Sequence, residues 1–343
     1  MAVQITLIIL GFAFLIKGAD ILVSGAETIA KKFHIPEIII GLTIVSIGTS
    51  MPELFVSVQS AIDGHSDISI GNVVGSNICN LLLILGISAM VHEIEFKRET
   101  RLIEIPMTLG VTIVFYIVAN INNNIAIIDS IILLVLFGIF MAYTIVMGKK
   151  GEKFDQNDPL LEENEKQIVE KDKEIKKEES QKDDNIRRKK ELKKIFISIL
   201  QIVLGIVVLK FGGDLVVKNA EKIALALHIS EKIIGLTIIA IGTSLPELIT
   251  SVVAAVKGDS DIAIGNILGS CIFNILLIIG VSGIISPMNY NTSYNGQLIF
   301  LGASTLLLGL FPFIGKRNHM TRINGMIYVI MYICYTIMLI LQK

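Results

Sequence analysis

The sequence contains little charge and little cysteine. Asp, Glu, Lys and Arg make up 18% of its 343 residues, whereas apolar residues make up 52%. A soluble domain of this length does not carry so many long apolar runs, so the composition indicates a membrane protein with several spans. The three cysteines, Cys79, Cys271 and Cys334, lie within apolar runs without zinc-type or disulfide spacing, and we interpret them as buried thiols.

The first apolar run lacks the features of a cleaved leader. It has no positively charged segment before it and no small-residue cleavage site after it, so we expect it to remain as the first span. Ten apolar runs approach the ~20 residues that a bilayer requires. The predicted spans are 3–24, 36–62, 67–91, 102–120, 125–147, 195–217, 231–256, 261–286, 297–315 and 322–341.

About half of the charge lies in one hydrophilic segment. Residues 149–194 contain 15 of the 30 Lys and Arg residues and 14 of the 31 Asp and Glu residues. The segment 148–194 has almost no apolar periodicity, which is compatible with either a solvated helix or a disordered chain. Because it has no ligand motif, we expect a plain linker rather than a regulatory loop. It divides the chain into two halves, 1–147 and 195–343.

The two halves are related in sequence. A shift of 194 residues aligns 11–90 with 205–284 without a gap, and 44 of these 80 positions are identical. Such similarity indicates two homologous halves. Because each half has five predicted spans, an odd number, the second half must enter the membrane from the opposite side. The predicted fold is an all-α polytopic membrane protein, in which ten transmembrane helices form two inverted five-helix repeats with broken helices at the midplane.

The distribution of basic residues predicts the orientation. With both termini outside, 24 of the Lys and Arg residues lie on the internal side and four on the external side. The positive-inside rule therefore places the linker 148–194 in the cytoplasm and both termini outside the plasma (inner) membrane.

Glu53 and Glu247 occupy the same position in two near-identical apolar segments, 41–54 and 235–248. A carboxylate at membrane depth costs roughly 2.5–3.5 kcal/mol on insertion scales, so two of them in matched positions indicate a function. Each follows a proline, which has no N–H to donate to the preceding turn, and we expect both helices to break there. Pseudo-symmetry then brings the two breaks face to face near the midplane.

The residues around each glutamate supply only oxygen ligands. If the local turn is helical, Thr49 and Ser50 share a side with Glu53. Their counterparts in the second half are Thr243 and Ser244. Hydroxyls, freed carbonyls and carboxylates suit Ca²⁺ or Na⁺ rather than Zn²⁺ or Cu⁺. The combined charge of −2 is neutralised by one Ca²⁺ or by several Na⁺, and competition at a shared site produces exchange.

A second duplicated motif follows in the next span of each half. Gly-Asn-x-x-Gly-Ser begins at residue 71 and again at residue 265. Ser76 and Asn80 are four residues apart, as are Ser270 and Asn274, so each pair presents a hydroxyl and an amide on one helix face. Interhelical hydrogen bonding is the common use of such residues. Their duplication beside a duplicated Pro-Glu leads us to expect a place in the site.

The motifs G-[ST]-S-x-P-E and G-N-x-x-G-S-x-x-x-N, each present twice, resemble the α-repeats of the cation/Ca²⁺ exchanger superfamily, particularly those of prokaryotic sodium/calcium exchangers. The resemblance is clearest over 11–91 and 205–285. It implies a secondary antiporter that expels Ca²⁺ by inward Na⁺ movement through alternating access. It also implies that spans 3–24 and 195–217 slide as a gate against a rigid core.

The same resemblance implies a role for each candidate residue. Glu53 and Glu247 ligate Ca²⁺ and share it with flanking Na⁺ sites. The backbone carbonyls of Thr49 and Thr243 join the Ca²⁺ shell. The remaining implied contributors are the Na⁺-site residues Ser50, Ser76, Ser244 and Ser270, the carbonyls of Ala240 and Ser46, and the central amides Asn80 and Asn274.

Several alternatives remain open from the sequence. In the family that the motifs resemble, some prokaryotic and all potassium-dependent members have an aspartate where this chain has Asn274, so we do not expect K⁺ co-transport. The acidic motif of proton/calcium antiporters is missing, which favours Na⁺ over H⁺ as the coupling ion, with an H⁺/Ca²⁺ antiporter as the alternative. A cation channel and a signalling scaffold acting through 148–194 are further hypotheses.

We expect no enzyme activity, no cofactor, no nucleic acid and no identifiable protein partner. The expected partners are Ca²⁺, Na⁺ and the lipid bilayer.

Overall fold

The computed structural model describes residues 2–33, 35–155, 180–226, 240–314 and 317–341, and these are almost entirely helical. The helices before residue 156 are α1 (Ala2–Phe33), α2 (Glu37–Thr49), α3 (Met51–Ile62), α4 (Ser66–Val91), α5 (Thr100–Ile121) and α6 (Ile127–Asp155). Those after residue 179 are α7 (Ser180–Ala226), α8 (Ala240–Thr243), α9 (Leu245–Lys257), α10 (Ser260–Ile285), α11 (Asn295–Leu310) and α12 (Arg322–Leu341). Helices α2, α4, α5 and α10 each include one wider π-helical turn.

The described helices confirm a polytopic membrane protein. Eight of them are long and apolar enough to cross a bilayer, and α2 with α3 forms a ninth span that bends by 50°. The predicted span 231–256 begins among residues outside the described ranges, and α9 is its described end. Helix α6 continues to Asp155 and α7 begins at Ser180, so both described ends of the predicted linker are helical. Residues 156–179 of that linker lie outside the described part of the chain.

Helices α4 and α10 form the centre of the protein. Their most apolar segments are 78% and 83% buried inside the protein, whereas the corresponding figures for the other long spans are 22–44%. The two helices cross antiparallel, because the first part of each packs against the π-helical segment of the other. Central helices tolerate polar residues that a lipid-facing helix does not, since their side chains find partners within the protein. The duplicated Asn and Ser residues lie on these two helices.

Two short antiparallel ribbons each join one strand from either half. Strand β1 (Ile94–Glu95), after α4, pairs with β4 (His319–Met320), before α12. Strand β2 (Asn124–Ile125), before α6, pairs with β3 (Met288–Asn289), after α10. When the sequence is shifted by 194 residues, β1 coincides with β3, and β2 lies within one residue of β4. The two ribbons therefore occupy equivalent positions in the repeat. Because α4 and α10 are antiparallel, the ribbons that follow them lie at opposite ends of the central pair.

Helices α1 and α7 pack as a tight antiparallel pair through glycine. A Cβ atom added at Gly18 would lie 2.9 Å from the backbone nitrogen of Leu209, and one added at Gly205 would lie 2.8 Å from that of Leu22. No side chain fits at these distances, so glycine permits the two backbones to touch. The pair therefore packs as one unit along its length.

This close packing predicts a selective effect of Gly205→Ala. The added methyl group meets the backbone of α1, and overpacking of this kind typically costs about 1–3 kcal/mol. Gly110→Ala in α5 is the matched control, because a Cβ atom there has no neighbour within 4 Å. We expect a lower melting temperature of the detergent-purified protein for Gly205→Ala only. Equal melting temperatures for the two variants would show that the α1–α7 contact is not tight.

Candidate cation-binding site

Both predicted helix breaks are present, and they place the glutamates. Pro52 and Pro246 lie in the first turns of α3 and α9, and the residue before each helix, Ser50 or Ser244, leaves the helical conformation at ψ 9° or 7°. The cause is local, since proline donates no hydrogen bond and its ring clashes with the preceding turn. Glu53 and Glu247 follow in the first turns of α3 and α9.

Each glutamate is buried and is contacted by the serine of the other half. Glu53 is 1% exposed and Glu247 is fully buried. The hydroxyl of Ser50 donates to Oε1 of Glu247 at 2.8 Å, and the hydroxyl of Ser244 donates to Oε1 of Glu53 at 3.1 Å. The Oε2 atom of each carboxylate has no hydrogen-bond partner among the described residues. The two halves are therefore joined at the carboxylates by a pair of reciprocal hydrogen bonds.

The serines of α4 and α10 extend this network. The hydroxyl of Ser50 lies 3.0 Å from that of Ser270, and the hydroxyl of Ser244 lies 3.4 Å from that of Ser76. All four serines are buried. The structure thus brings six of the predicted residues into one cluster of carboxylates and hydroxyls, with every one of these contacts crossing between the halves.

Thr49 and Ser46 lie on the first broken helix, with their hydroxyls turned to protein groups. Thr49 Oγ1 donates to the carbonyl of Val45 at 3.1 Å and lies at the same distance from Oδ1 of Asn266. Ser46 Oγ donates to the carbonyl of Leu42, and the Ser46 carbonyl accepts from the Ser50 N–H at 3.0 Å. Thr243 ends α8, which begins at Ala240.

The two central amides differ in their contacts, although their positions correspond. Asn274 Nδ2 donates to Oδ1 of Asn77 at 3.0 Å, while Asn274 Oδ1 has no hydrogen-bond partner among the described residues. Neither polar atom of Asn80 has such a partner. Both amides are buried and lie in the π-helical turns of α4 and α10. Such turns occur frequently at functional sites.

Two kinds of site residue escape the sequence analysis, namely Ser57 with its counterpart Ser251, and Asn77. Asn72 and Asn266, which contact these serines, belong to the duplicated Gly-Asn-x-x-Gly-Ser motif. Asn72 Nδ2 donates to Ser57 Oγ at 2.9 Å and approaches the Glu53 carbonyl at 3.3 Å. In the second half Asn266 makes the equivalent contacts with Ser251 and the Glu247 carbonyl, at 2.9 and 3.5 Å. Their recurrence under the 194-residue shift is the signal that identifies Ser57 and Ser251. Asn77 has no such signal, because its counterpart is Cys271.

A cleft of about 250 Å³ lies beside α7. Pro52, Thr243 and Pro246, which are close in sequence to the buried glutamates, are among its lining residues. Near its α7 wall, Lys210 Nζ lies 5.0 Å from the ring centre of Phe55, a cation–π distance. Asp214 and Lys218 also line the cleft. The cleft therefore separates α7 from the first broken helix beside the cluster.

The corresponding place in the other half is closed. Helix α1 packs along α9. Lys257, at the end of α9, forms an ion pair with Asp20 at 2.8 Å and donates to Ser24 Oγ at 2.8 Å. The described residues thus leave a cleft beside α7, whereas α1 packs against α9.

These features define the class of the protein. A helical membrane protein with a buried, acidic, oxygen-lined cluster between two homologous halves has the architecture of a cation transporter. A family model for sodium/calcium exchanger proteins matches residues 3–146 and 197–341. The chain therefore belongs to the sodium/calcium exchanger family.

Individual relatives match over nearly their full length. The chain is 33% identical to the putative antiporter CaxA of Alkalimonas amylolytica, with 99% of each protein covered. It is 30% identical to the sodium/calcium exchanger MaX1 of Methanosarcina acetivorans, with 98% of each covered. Among solved structures it is similar to the sodium-calcium exchanger NCX_Mj soaked without Na⁺ and Ca²⁺, with a TM-score of 0.78, 30% identity and 98% of each chain covered.

The reciprocal hydrogen bonds predict energetic coupling between the halves. Hydrogen bonds to charged groups contribute about 1.5–3 kcal/mol each. We therefore expect the destabilising effects of Ser50→Ala and Glu247→Gln on melting temperature to be strongly non-additive in the double variant. Ser50→Ala with Glu104→Gln is the control and should be close to additive, because Glu104 is a buried glutamate outside the cluster. Coupling in the control as strong as that between Ser50 and Glu247 would contradict the observed contact.

Proposed function

We propose that this chain is a secondary-active antiporter that exchanges Ca²⁺ for Na⁺ by alternating access at one site shared by its two halves. The observation that carries the proposal is the crossed pair of serine–glutamate hydrogen bonds, which places two buried carboxylates in one cluster. Family membership supports the same activity. A transporter of this kind is not an enzyme and its ions are substrates.

The charge of the cluster accounts for the competition between the two ions. No Lys or Arg among the described residues is buried, so no basic side chain neutralises Glu53 and Glu247. One Ca²⁺ or two Na⁺ neutralise a charge of −2, and the two loads exclude each other because they use the same oxygens. Hard oxygen ligands suit both ions. The hydroxyl-rich surroundings of the carboxylates favour Na⁺ over H⁺ as the coupling ion.

We assign the ligands as follows. Glu53 and Glu247 bind Ca²⁺ and share it with the flanking Na⁺ positions, because each carboxylate keeps one oxygen unpaired within the described protein. Ser50, Ser76, Ser244 and Ser270 bind Na⁺ through hydroxyls that already meet at the carboxylates. The remaining proposed ligands are the carbonyls of Thr49, Thr243, Ser46 and Ala240 and the central amides Asn80 and Asn274.

We further propose that the halves, 1–147 and 195–343, are inverted in the membrane and that 148–194 connects them in the cytoplasm. The antiparallel packing of α1 against its counterpart α7 supports inversion. So does the placement of the equivalent ribbons after antiparallel helices. The basic residues support external termini. The five spans assigned to each half include the span 231–256, whose first part lies outside the described residues.

Alternating access then follows from movement of the α1–α7 pair. The pair packs as one unit through Gly18 and Gly205, so a displacement that closes the cleft beside α7 also moves α1 along α9. The ion pair of Lys257 with Asp20 holds the α1 side closed. In the proposed orientation the open side is external and the closed side is cytoplasmic.

The decisive experiment is Ca²⁺ uptake into proteoliposomes. We expect uptake that is driven by an opposing Na⁺ gradient and lost when the gradient is removed. Uptake that responds only to a pH gradient in Na⁺-free buffer would replace the proposal with H⁺/Ca²⁺ exchange. Conductance without coupling would replace it with a channel.

Glu53→Gln and Glu247→Gln should each reduce Na⁺-driven Ca²⁺ uptake to background. Each substitution removes half of the charge, and loss of one partner from a buried charged site typically costs about 3–5 kcal/mol, which is more than a hundredfold in binding. Glu104→Gln is the control, because Glu104 is also buried at 2% exposure and lies outside the cluster. A normal rate of Na⁺-driven Ca²⁺ uptake in Glu53→Gln or Glu247→Gln would contradict the assignment of that glutamate as a Ca²⁺ ligand.

The closed side carries a contact that predicts pH dependence. Asp259 follows α9 and hydrogen-bonds Glu27 of α1; burial and this carboxylate raise the pKa of Asp259 to about 7. Below that pH a protonated Asp259 donates to Glu27 and holds α1 against the core. As pH rises through 7, the contact becomes a repulsion between two carboxylates. Two other charged groups act on Asp259. They are Glu37 and Lys31, and the Nζ atom of Lys31 lies 3.4 Å from Oε2 of Glu27.

We therefore expect uptake to fall as the pH on the Asp259 side is lowered from 8 to 6. Asp259→Asn keeps a neutral donor at all pH values, so its rate should be low and should lose this part of the pH dependence. Asp63→Asn, at the equivalent position to Lys257 on the opposite face, is the control. An unchanged pH profile in Asp259→Asn would rule the contact out as the cause.

A further inference from the structure

Asn77 lies one turn before Asn80 and belongs to the contact at which α4 and α10 cross. Its Nδ2 donates to the backbone carbonyl of Cys271 at 3.1 Å, and the Cys271 thiol lies 3.8 Å from the Asn77 carbonyl. The two residues occupy equivalent positions, because the 194-residue shift takes 77 onto 271. The crossing point of the two central helices is therefore occupied by an amide from one half and a thiol from the other.

The hydrogen bonds set the direction of two amides in sequence. A backbone carbonyl only accepts, so Asn77 must turn its NH₂ group towards Cys271. Asn77 Oδ1 then faces Asn274 and also only accepts, so Asn274 must present its own NH₂ group, at 3.0 Å. This leaves Oδ1 of Asn274, the atom that can ligate a cation, facing away from Asn77. That atom is buried and has no hydrogen-bond partner among the described residues.

The equivalent amide in the first half has no such restraint. By pseudo-symmetry the residue that would orient Asn80 is Cys271, which carries a thiol and no amide. Neither polar atom of Asn80 has a hydrogen-bond partner in the described part of the chain. The two central amides thus occupy equivalent sequence positions but are unequally restrained.

We propose that Asn77 is a positioning residue that fixes Asn274 as an oxygen ligand for the transported cation, whereas Asn80 is free to turn. The proposal rests on the proposed exchange function, since it concerns how that site binds its cation. An amide turned the wrong way presents its partially positive NH₂ group to the ion. Fixing Asn274 through a backbone carbonyl removes that orientation, so its oxygen is available in every cycle.

The first test compares Asn77→Ala with Cys271→Ala. Asn77→Ala releases Asn274, and the loss of one orienting hydrogen bond corresponds to about a three- to tenfold higher Ca²⁺ concentration at half-maximal uptake. The maximal rate should change less than twofold. Cys271→Ala retains the carbonyl that orients Asn77 and should leave both values unchanged. A lower maximal rate with unchanged Ca²⁺ dependence in Asn77→Ala would indicate a packing role only and overturn the proposal.

A mutant cycle identifies the residue through which Asn77 acts. In an Asn274→Ala background, Asn77→Ala should cause no further loss of Ca²⁺ affinity, whereas in an Asn80→Ala background the full loss should persist. Exchanging the two residues, Asn77→Cys with Cys271→Asn, places the amide on α10 and should restore the affinity while transferring the dependence to Asn80. The same loss in both backgrounds would overturn the proposal.

Binding and transport are read separately. The Ca²⁺-induced rise in melting temperature of purified protein reports binding, and Na⁺-driven uptake by the wild type reports the exchange function. Absence of wild-type uptake would defeat the exchange function, while the binding titrations still decide the role of Asn77. If the Asn77 variants do not fold, Asn274→Ala should weaken Ca²⁺ binding more than Asn80→Ala, and equal losses would refute the orientation.

Discussion

Two buried carboxylates, with no buried basic side chain in the described ranges, are the constraint on which this structure depends. Glu53 and Glu247 are almost completely removed from solvent, and serine hydroxyls satisfy only one oxygen of each. Unpaired buried charges cost several kcal/mol, and a bound cation offsets this cost. In the proposed mechanism the α1–α7 pair slides past these carboxylates, and an unneutralised charge of −2 beside the sliding pair disfavours that movement. Neutralisation by Ca²⁺ or by Na⁺ then becomes a condition for movement, which is the coupling that the proposed exchange requires.

The crossed hydrogen bonds explain how one site responds as a unit. Ser50 belongs to the first half and serves the carboxylate of the second, and Ser244 does the reverse. An ion that displaces a hydroxyl at one glutamate therefore alters the other half as well. Because the same serines also contact Ser76 and Ser270, the change reaches the central helices α4 and α10. A change in occupancy of the site would therefore alter hydrogen bonds on all four helices that build it.

The sequence contains enough information for the spans, the repeat and the acidic pair. The length of an apolar run reflects bilayer thickness, and the 194-residue shift reflects homology between the halves. A proline before each glutamate predicts a break in backbone hydrogen bonding. The crossing of serines between halves is not readable in this way, because it depends on the relative placement of α3 and α9. Asn77 is hidden for a different reason. Its role depends on a backbone carbonyl of Cys271, and backbone groups carry no residue-specific signal.

Departures from pseudo-symmetry decide which side of the protein is closed. Lys257 binds Asp20 on one face, whereas the equivalent residues of the repeat are Asp63 and Asp214, which are both acidic. The same ion pair therefore cannot form when the α1–α7 pair moves to the opposite position. Two states built from equivalent helices then differ in energy through a few side chains. In the proposed mechanism the Lys257 contact favours the state with the cleft beside α7, and a difference in ion affinity between the two states offsets it.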